Sequence, residues 1–434
     1  MYDLIIEDAT IIGAQGRMQA DIAVEGGQIV YVGDRPGGRA ARIVQGGGRL
    51  LLPGFIDTHV HFRDPGAPHK EDWQSGSRAA VSSGVTTVCD MPNTSPPTVD
   101  RATWNDKRRR AEATSIADFG IWIGATDQNV AEQRELMASG DACGVKVFMG
   151  ASTGPLLVSD NGLERLFREG IGLVGVHAED EGLLERLRQA HRHETSPRHR
   201  DLRPPEAASQ AVARLLELTR AWPRPVHICH VSTRAELEIL QGVSGQLPVT
   251  TEVCAHHLLP VDEPDLPRHK VNPPLRDAAD QAALWTALAA HHLDSLGSDH
   301  APHTLEEKAR PYWEAPAGLP GVETTIPLML AEVERGRLSL EHLVALGAEN
   351  PARIFGFSKK GRIAPGYDAD FFLLGRSALV PLHPLMLLTR VGWSPFVGRM
   401  VMPKPEQVYV GGRLVAQDGQ IVAEDRRGKL VRPF

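Results

Sequence analysis

A regular alternation dominates the middle of the chain, between residues 53 and 357. Eight short apolar runs recur there, each followed by a helical-looking segment; the runs are FIDTHVH, VTTVCDM, FGIWIGA, GVKVFMG, GLVGVHA, PVHICHV, VTTEVCA and LDSLGSDH. Eight strand-plus-helix units are the repeat of a (β/α)8 barrel, whose catalytic groups lie at the carboxyl ends of its strands. The pattern therefore predicts a barrel over residues 53–357, with its chemistry at one mouth.

The two ends of the chain have a different texture. Residues 1–52 and 358–434 contain short β-rich stretches separated by turn residues, as in QVYVGGRLVAQDGQIV with its Gly-Gly and Asp-Gly pairs. Two such ends around a central insertion predict one small domain built from both. The expected fold class is α/β: a (β/α)8 TIM-like barrel with a small β-sandwich domain formed by both chain ends.

Composition and charge argue against several classes of partner. The 434 residues include 47 basic and 54 acidic side chains, for a formal charge of -7, without the long single-sign runs that favour nucleic acid or membrane binding. No apolar run approaches the roughly 18 residues of a membrane span, and the start lacks a signal-peptide pattern. The four cysteines form no C-x-x-C pair, which favours reduced thiols in the cytoplasm. We expect a cytoplasmic protein with a small-molecule substrate.

Two histidines stand one residue apart in the stretch GFIDTHVHFRDPG. Side chains alternate between the faces of a strand, so His59 and His61 project to the same side at the end of their run. Two imidazoles on one face can bind one metal ion. An isolated H-x-H is more often a pair of rim or core histidines, so the interpretation depends on the other strand ends.

Other strand runs carry further candidate ligands near their ends. These are Lys146, His177, His230 and Asp299. Together with the H-x-H pair they bring four imidazoles, a carboxylate and a lysine to one mouth, and imidazole and carboxylate ligands suit zinc. In HICHVST only one histidine can face inward, because positions i and i+3 of a strand face opposite sides. We assign His230 to the site because it lies nearer the carboxyl end of the run, and His227 is then predicted to be a packing residue.

Lys146 differs from the other candidates because an ammonium group cannot bind a cation. A neutral lysine amine can add carbon dioxide, and the resulting carbamate is an anionic ligand that can bridge two metals. The alternative is an outward-facing lysine in an ion pair. No carboxylate lies between Asp141 and Asp160 to take the ligand position, which favours the carbamate.

The motifs resemble those of the amidohydrolase superfamily and, within it, the dihydroorotases. The resemblance runs essentially from end to end of the chain. It rests on PGFIDTHVHFRDPG, GVTTVCDMPNTSPPT, KVFMGASTG, VHAED, RPPEAA, CHVST, EVCAHHL, VNPPLR, GSDHAPH, NPARIFG and GRIAPGYDADFFLL. H-x-H followed by R-x-P-G, together with S-D-H-A-P-H, is the specific part of this set.

The resemblance implies a centre of two zinc ions. His59, His61, carbamylated Lys146, His177, His230 and Asp299 would hold it. Arg63, Asn93 and His303 are expected to bind the substrate carboxylate and ring, with Asn272 close by. The implied activity is the reversible hydrolysis of dihydroorotate to N-carbamoyl-L-aspartate in pyrimidine biosynthesis, with Asp299 as the acid/base group.

Lys146 leaves the substrate open, because many bacterial dihydroorotases have aspartate there, whereas other dihydroorotases, allantoinases and dihydropyrimidinases have lysine. Arg63, a cation suited to a carboxylate, argues against a dihydropyrimidinase or hydantoinase, although it could instead pair with Asp64. His303 and the N-P-P-L-R segment argue against an allantoinase. A single-metal deaminase fits the arginine and lysine poorly.

A catalytically inactive scaffold for aspartate transcarbamoylase is the alternative from a different class of protein, and the complete set of ligand types argues against it as the sole function. Association with a transcarbamoylase and homo-oligomer formation are left open. Of the long connections, 191–206 is predicted to be a solvated loop. Residues 307–325 are predicted to be a mobile or substrate-contacting loop.

Overall fold

The computed structural model describes residues 1–152, 154–375 and 377–433. Within these ranges the chain forms a closed barrel of parallel strands and a separate, mainly antiparallel sheet. None of the helices in the described ranges is both long enough and apolar enough to cross a bilayer.

The separate sheet joins strands from both ends of the chain. Its strands are β1 (Tyr2–Gly13), β2 (Gly16–Glu25), β3 (Gln28–Gly33), β4 (Ala40–Gln45), β5 (Leu50–Pro53), β15 (Phe371–Leu374), β18 (Gln407–Val410), β19 (Arg413–Gln417) and β20 (Gln420–Ile421). Their spatial order is β20-β19-β18-β15-β5-β1-β2-β3, with β4 pairing with β1. Two further short strands, β16 (Val380–Pro381) and β17 (Met400–Val401), pair with each other outside this sheet. The antiparallel pair β5 and β15 connects the two chain ends, which confirms that both contribute to one β-domain. Division at residues 52 and 357 stays a prediction.

Glycine-containing turns connect the hairpins of this sheet. Both central residues have positive φ at Gly26 and Gly27, at Gly411 and Gly412, and at Asp418 and Gly419. Two-residue turns of this geometry match the right-handed twist of antiparallel strands, and they need residues that tolerate positive φ. The Gly-Gly and Asp-Gly pairs of the sequence therefore lie where the hairpins reverse.

The barrel contains all eight predicted strand runs in chain order. They are β6 (Phe55–Val60), β7 (Val85–Asp90), β8 (Asp118–Ile121) continued by β9 (Ile123–Gly124), β10 (Val145–Phe148), β11 (Val174–His177), β12 (Val226–Ile228), β13 (Val249–Cys254) and β14 (Ser295–Gly297). Neighbouring strands are parallel, and a parallel bridge between Val60 and His300 closes the ring. The predicted fold class is confirmed.

Helices surround the barrel and connect its strands. They are α1 (Trp73–Ser82), α2 (Arg101–Thr114), α3 (Val130–Ala138), α4 (Asp160–Glu169), α5 (Glu181–Ala190), α6 (His199–Leu202), α7 (Pro205–Ala221), α8 (Arg234–Gln241), α9 (Ala255–Leu258), α10 (Ala278–Ala289), α11 (Leu305–Lys308), α12 (Thr325–Glu334), α13 (Leu340–Val344) and α14 (Asn350–Ile354). Side chains of Asp72, Asp100, Thr233 and Thr304 cap the first turns of four of them in reciprocal capping boxes.

Two segments differ from the sequence-based expectation. Residues 191–206 are not simply a solvated loop, because α6 forms within them and the side chains of His199 and Arg203 are buried against the barrel mouth. The stretch KLVRPF lies within residues 358–434, the range expected to belong to the β-domain, but its described residues do not join the separate sheet. Instead, the backbone of Lys429 and Val431 hydrogen-bonds to Phe119 on β8.

A buried ionic cluster links β8 of the barrel to the separate sheet. Lys360 Nζ donates to Asp118 Oδ2 at 2.6 Å and also contacts Asp370, while Arg426 Nη2 lies 2.6 Å from Asp118 Oδ1. Burial alone would raise the pKa of the Asp118 carboxyl, but Lys360 and Arg426 hold that pKa well below its usual range. The cluster therefore places compensated charges where the two parts of the molecule pack together.

Replacement of Lys360 by methionine is expected to destabilise the protein by about 3–5 kcal/mol, because it leaves the buried carboxylates of Asp118 and Asp370 without their ammonium partner. The urea midpoint of unfolding measures the effect. Lys359→Met is the matched control, since Lys359 is exposed. Equal midpoints for the two variants would contradict this role of the cluster.

Candidate metal centre

A cavity opens at the carboxyl ends of the barrel strands. It is lined by His59, His61, Arg63, Asn93, Lys146, Phe148, Ser152, His177, His230, Val271, Asn272, Asp299, Ala301, Ala317 and Gly318. All six predicted metal ligands and three of the four predicted substrate-binding residues are in this set. The fourth, His303, contacts the cavity residue Arg63, with its Nε2 3.1 Å from Arg63 Nη2. The structure thus brings the predicted residues together.

The first group of ligand atoms comes from β6 and from the end of β14. His59 Nε2 lies 3.3 Å, and His61 Nε2 3.1 Å, from Asp299 Oδ1. His59 Nδ1 lies 2.7 Å from Glu252 Oε1, so this nitrogen donates and its Nε2 is left as the ligand atom. Ligands about 2.0–2.1 Å from a tetrahedral zinc ion are roughly 3.3–3.4 Å apart. The spacing fits one metal ion.

The second group comes from the ends of β11 and β12. His177 Nε2 lies 2.8 Å from the Glu179 carboxylate and donates to it, so His177 Nδ1 carries the lone pair. That atom faces His230 Nε2 at 3.1 Å. Because burial lowers the pKa of both imidazoles, both are neutral at physiological pH and can act as ligands. The arrangement fits a second metal ion.

His230 reaches the cavity by a route that strand alternation does not describe. Strand β12 ends at Ile228, and His230 follows with a φ of 40°. His227 is buried, hydrogen-bonds to Thr250 Oγ1 at 2.9 Å and contacts the ring of Phe355, which agrees with a packing role. His230 lies in the cavity, as the sequence predicted. Its positive φ after the end of the strand directs it there, and the alternation of side chains along a strand does not.

Positive φ recurs among the site residues. Arg63 and Asp299 have φ values of 60° and 45°. For side chains other than glycine such a conformation costs on the order of 1–3 kcal/mol, and it persists where surrounding contacts enforce it. Three site residues are therefore held in strained conformations that direct their side chains to the mouth of the barrel.

Lys146 is fully buried between the two groups. Its Nζ lies 3.0 Å from Cys229 Sγ and 5.2 Å from the centre of the Phe148 ring. Among the described residues it forms no ion pair with a carboxylate, so the outward-facing lysine of the alternative interpretation is wrong. Burial would raise the pKa of the Cys229 thiol, but the neighbouring Lys146 and His59 charges lower that pKa below its usual value.

Acidic residues make the first group attractive to a cation. Burial by itself would lower the pKa of His59, but the Glu252 and Asp299 carboxylates outweigh it and raise the pKa to about 10. Burial would raise the pKa of Asp299, whereas His59 and His61 hold that pKa well below its usual range. A field that stabilises a proton on His59 also stabilises a metal ion at the same nitrogen.

The buried guanidinium of Arg63 lies beside the candidate ligands. Arg63 is buried; its Nε donates to the Pro302 carbonyl at 3.3 Å, and its Nη2 lies 3.1 Å from His303 Nε2. Burial lowers the pKa of Arg63 to about 10, so the guanidinium stays charged at neutral pH. Asp64 pairs instead with Arg110 at 3.0 Å, which excludes the Arg63–Asp64 ion pair considered above.

The two asparagines of the cavity also contact imidazoles. Asn93 Oδ1 lies 2.6 Å from His61 Nδ1, and Asn272 Oδ1 lies 2.8 Å from His199 Nε2. His199 Nδ1 is in turn 2.6 Å from the Tyr312 hydroxyl. Each amide oxygen is thereby held in place. His199 was missed in the sequence because it lies in a segment without strand or helix periodicity.

Glu179 and Glu252 were also missed, although the sequence contains a signal for both. Each is a carboxylate inside an apolar strand run or directly after one, and Glu179 is two residues beyond His177, the spacing that identified His59 and His61. A histidine that binds metal usually donates its other ring N–H to a carboxylate or carbonyl. Searching each run for such a partner would have identified the pair.

The chain was compared with protein families and with known proteins. Residues 50–415 match the model described as Amidohydrolase family. A protein named dihydroorotase from Methanosarcina acetivorans is 36% identical over 99% of this chain and 96% of its own length. An allantoinase from Deinococcus radiodurans is 34% identical over 99% of both. The structure of an L-hydantoinase (dihydropyrimidinase) from Arthrobacter aurescens superimposes with a TM-score of 0.94 and 30% identity over 100% of both chains.

Fold, site and relatives together define a metal-dependent hydrolase that acts on the amide bond of a cyclic small molecule. The chain belongs to the amidohydrolase family. The resemblance to dihydroorotases on which the sequence-based prediction rested is confirmed.

Glu179→Gln is expected to weaken metal binding at the His177–His230 group by about 10–100-fold, the usual effect of removing a carboxylate that orients a metal-binding histidine. The glutamine amide is neutral, so it cannot compensate the charge of the Arg203 guanidinium, whose Nε lies 3.0 Å from Glu179 Oε2, and also accept the His177 N–H as a carboxylate does. Competition with a chelator measures the affinity. Glu185→Gln, which alters a carboxylate on α5 that pairs with Arg188, is the control and should bind metal as the unmodified protein does.

Proposed function

We propose that the protein catalyses the reversible hydrolysis of dihydroorotate to N-carbamoyl-L-aspartate, with the cyclising direction used in pyrimidine biosynthesis. The observation that carries this proposal is the buried Arg63 guanidinium at the edge of the cavity. Among the described residues no carboxylate forms an ion pair with it. A carboxylate on the substrate would supply the missing anion.

The contacts around Arg63 support an anionic substrate. Lys70 Nζ lies 3.1 Å from His303 Nδ1 but pairs with the Glu307 carboxylate at 2.9 Å, so Arg63 is the cation there that lacks a carboxylate partner among the described residues. Burial, Arg63 and Lys70 keep the pKa of His303 well below its usual range, so the imidazole is neutral and adds no charge. Charge-assisted bonds to a guanidinium are stronger than neutral ones and can be bidentate. Dihydroorotate carries a carboxylate, whereas allantoin, hydantoin and dihydrouracil do not.

Asn93 and Asn272 are assigned to the polar edge of the substrate ring. Their amide oxygens contact the imidazoles of His61 and His199, which orients the amide groups at the cavity wall. A ring with alternating carbonyl and N–H groups presents both acceptors and donors to such residues. Arg63, His303 and the two asparagines would fix the scissile bond relative to the metal ligands, which is catalysis by positioning.

Two zinc ions are proposed for the centre, one at His59, His61 and Asp299 and one at His177 and His230, with Lys146 as a bridging carbamate. Carbamate formation joins the neutral lysine nitrogen to the carbon of carbon dioxide and releases one proton. When bound, the metal ions supply Lewis-acid polarisation of the amide carbonyl and a water of lowered pKa. The residues present fit this group because their ligand atoms lie 3.1–3.3 Å apart, the spacing of ligands around one ion.

Asp299 is proposed to move the proton. Its carboxylate is ionised at neutral pH and its Oδ1 faces the first ligand group, so its other oxygen, Oδ2, can accept a proton from the attacking water. The same oxygen would then donate that proton to the leaving amide nitrogen. Acid/base catalysis of this kind contributes about 10²–10⁴-fold in rate.

Allantoin is the second candidate substrate. The 34% identity with an allantoinase over 99% of both chains supports it, as does the lysine at position 146. Zinc- and bicarbonate-treated protein assayed against dihydroorotate, allantoin, hydantoin and dihydrouracil tests the choice. The proposal predicts the highest kcat/KM for dihydroorotate; a preference for allantoin would overturn the substrate assignment and keep the class of reaction.

Asp299→Asn is expected to lower kcat by about 10²–10⁴-fold while most of the bound metal is kept, since the amide oxygen can still act as a ligand but the side chain can no longer carry the proton. Turnover and metal content of the same preparation measure the two effects. Activity close to that of the unmodified enzyme would remove Asp299 from the acid/base role.

Arg63→Ala is expected to raise KM for dihydroorotate by about 10–100-fold or more, because a charged hydrogen bond is worth about 1.5–3 kcal/mol. Turnover of the uncharged hydantoin should change little. Arg110→Ala, which removes a neighbouring exposed guanidinium bound to Asp64, is the control. An equal loss on charged and uncharged substrates would contradict the proposed ion pair.

A further inference from the structure

A separate group of potential metal ligands lies where strand β13 meets helix α9. Cys254, His256 and His257 are all buried, and one ligand atom from each lies within 4.8 Å of the other two. The ring centres of the two histidines are 4.4 Å apart. None of the three is among the six residues assigned to the catalytic centre, and the proposed reaction uses none of them.

Two nitrogen atoms of this group are buried without a hydrogen-bond partner in the described part of the chain. They are His256 Nε2 and His257 Nδ1. The other nitrogen of His257, Nε2, lies 3.1 Å from the Pro273 carbonyl and therefore carries the hydrogen. His257 Nδ1 consequently presents a bare lone pair. Buried polar atoms nearly always have a partner, so two such atoms in adjacent residues indicate a missing one.

The tautomer of His257 is the one found in metal sites. A metal-binding histidine usually donates one ring N–H to a carbonyl or carboxylate and binds the ion through the other nitrogen. Burial lowers the pKa of His256 to about 4 and that of His257 well below its usual range. Both imidazoles are therefore neutral and able to bind a cation at physiological pH.

The surroundings of Cys254 disfavour a thiolate without a positive partner and favour a bound cation. Burial and the nearby carboxylates of Glu252, Asp299 and Asp57 raise the pKa of this thiol well above its usual value. The same carboxylates attract a positive ion. One sulfur and two imidazole nitrogens form a ligand set typical of zinc.

We propose that Cys254, His256 and His257 form an additional site for a thiophilic divalent metal ion such as zinc, distinct from the catalytic pair. Binding forms one bond from the metal ion to Sγ and two to the imidazole nitrogens, and the thiol proton is released to solvent. Tetrahedral ligands of this kind lie roughly 3.3–3.6 Å apart, so modest side-chain rotation closes the site from its present spacing.

The ion would connect α9 to the segment that lines the cavity. His257 bonds to the carbonyl of Pro273, which directly follows Asn272 of the cavity wall. A metal ion that fixes His257 would therefore also fix the position of Asn272. The role is positioning and structural, because no ligand of this site contacts the substrate in the proposed binding mode.

A competing arrangement would place the additional ion on His59, Cys229 and Glu252, whose ligand atoms are also close together. These three side chains already have partners, since His59 Nδ1 bonds to Glu252 at 2.7 Å and Cys229 Sγ lies 3.0 Å from Lys146 Nζ. The unpartnered nitrogens of His256 and His257 favour the site at Cys254.

Titration of the metal-free protein with Co²⁺ tests the proposal, because a cobalt–thiolate bond gives a near-ultraviolet charge-transfer band that nitrogen and oxygen ligands do not give. We expect about three ions per chain, one more than the two of the catalytic pair, with the band present. Cys254→Ser should lose the band and one equivalent of metal. Cys143→Ser, which alters another buried thiol, should keep both.

Either of two results would overturn the proposal. The first is the absence of a charge-transfer band in the unmodified protein at saturating Co²⁺, which requires no variant to fold. The second is a band that survives in Cys254→Ser. If that surviving band is lost in Cys229→Ser, the ion lies on His59, Cys229 and Glu252. Circular dichroism of each variant shows whether it has folded, and His257→Gln provides a second substitution at the site.

Discussion

Two buried carboxylates orient the histidines at the mouth of the barrel. Glu252 accepts the Nδ1 hydrogen of His59, and Glu179 accepts the Nε2 hydrogen of His177. Each carboxylate fixes one ring tautomer, so that the opposite nitrogen presents a lone pair to the cavity. Without these bonds the imidazoles could rotate, and the ligand spacing of 3.1–3.3 Å would be lost. The metal centre proposed for this protein thus depends on two side chains that need not touch a metal.

Two lysine side chains hold one part of the cavity wall in place. Lys308 Nζ donates to the carbonyls of Lys270, Pro316 and Gly318 at 2.8–3.0 Å, and Lys270 Nζ donates to those of Tyr312 and Ala315. These bonds fix the loop that brings Ala317 and Gly318 into the cavity. The segment 307–325 therefore contacts the site as the sequence predicted, and the two lysines explain how a loop rich in glycine and proline keeps a defined shape.

Sequence patterns predicted the barrel strands and the residues at the mouth of the barrel. The apolar runs and the polar residues at their carboxyl ends can both be seen in short stretches of sequence. They did not predict what happens just past the strands. Arg63, His230 and Asp299 reach the cavity because their backbone φ values are positive. The residue types at these positions do not predict a positive φ. His199 and Arg203 enter from a segment without periodicity, and their roles depend on contacts with residues distant in the chain, such as Asn272 and Glu179.

The metal centre proposed for this protein holds two metal ions, with carbamylated Lys146 as a ligand shared between them. Anomalous diffraction at the zinc edge from crystals of the zinc- and bicarbonate-treated protein tests this directly. We expect one peak among His59, His61 and Asp299 and another between His177 and His230, with carboxyl density on Lys146 Nζ reaching both. A missing peak at either group, or an unmodified Lys146 amine still in contact with Cys229, would contradict it.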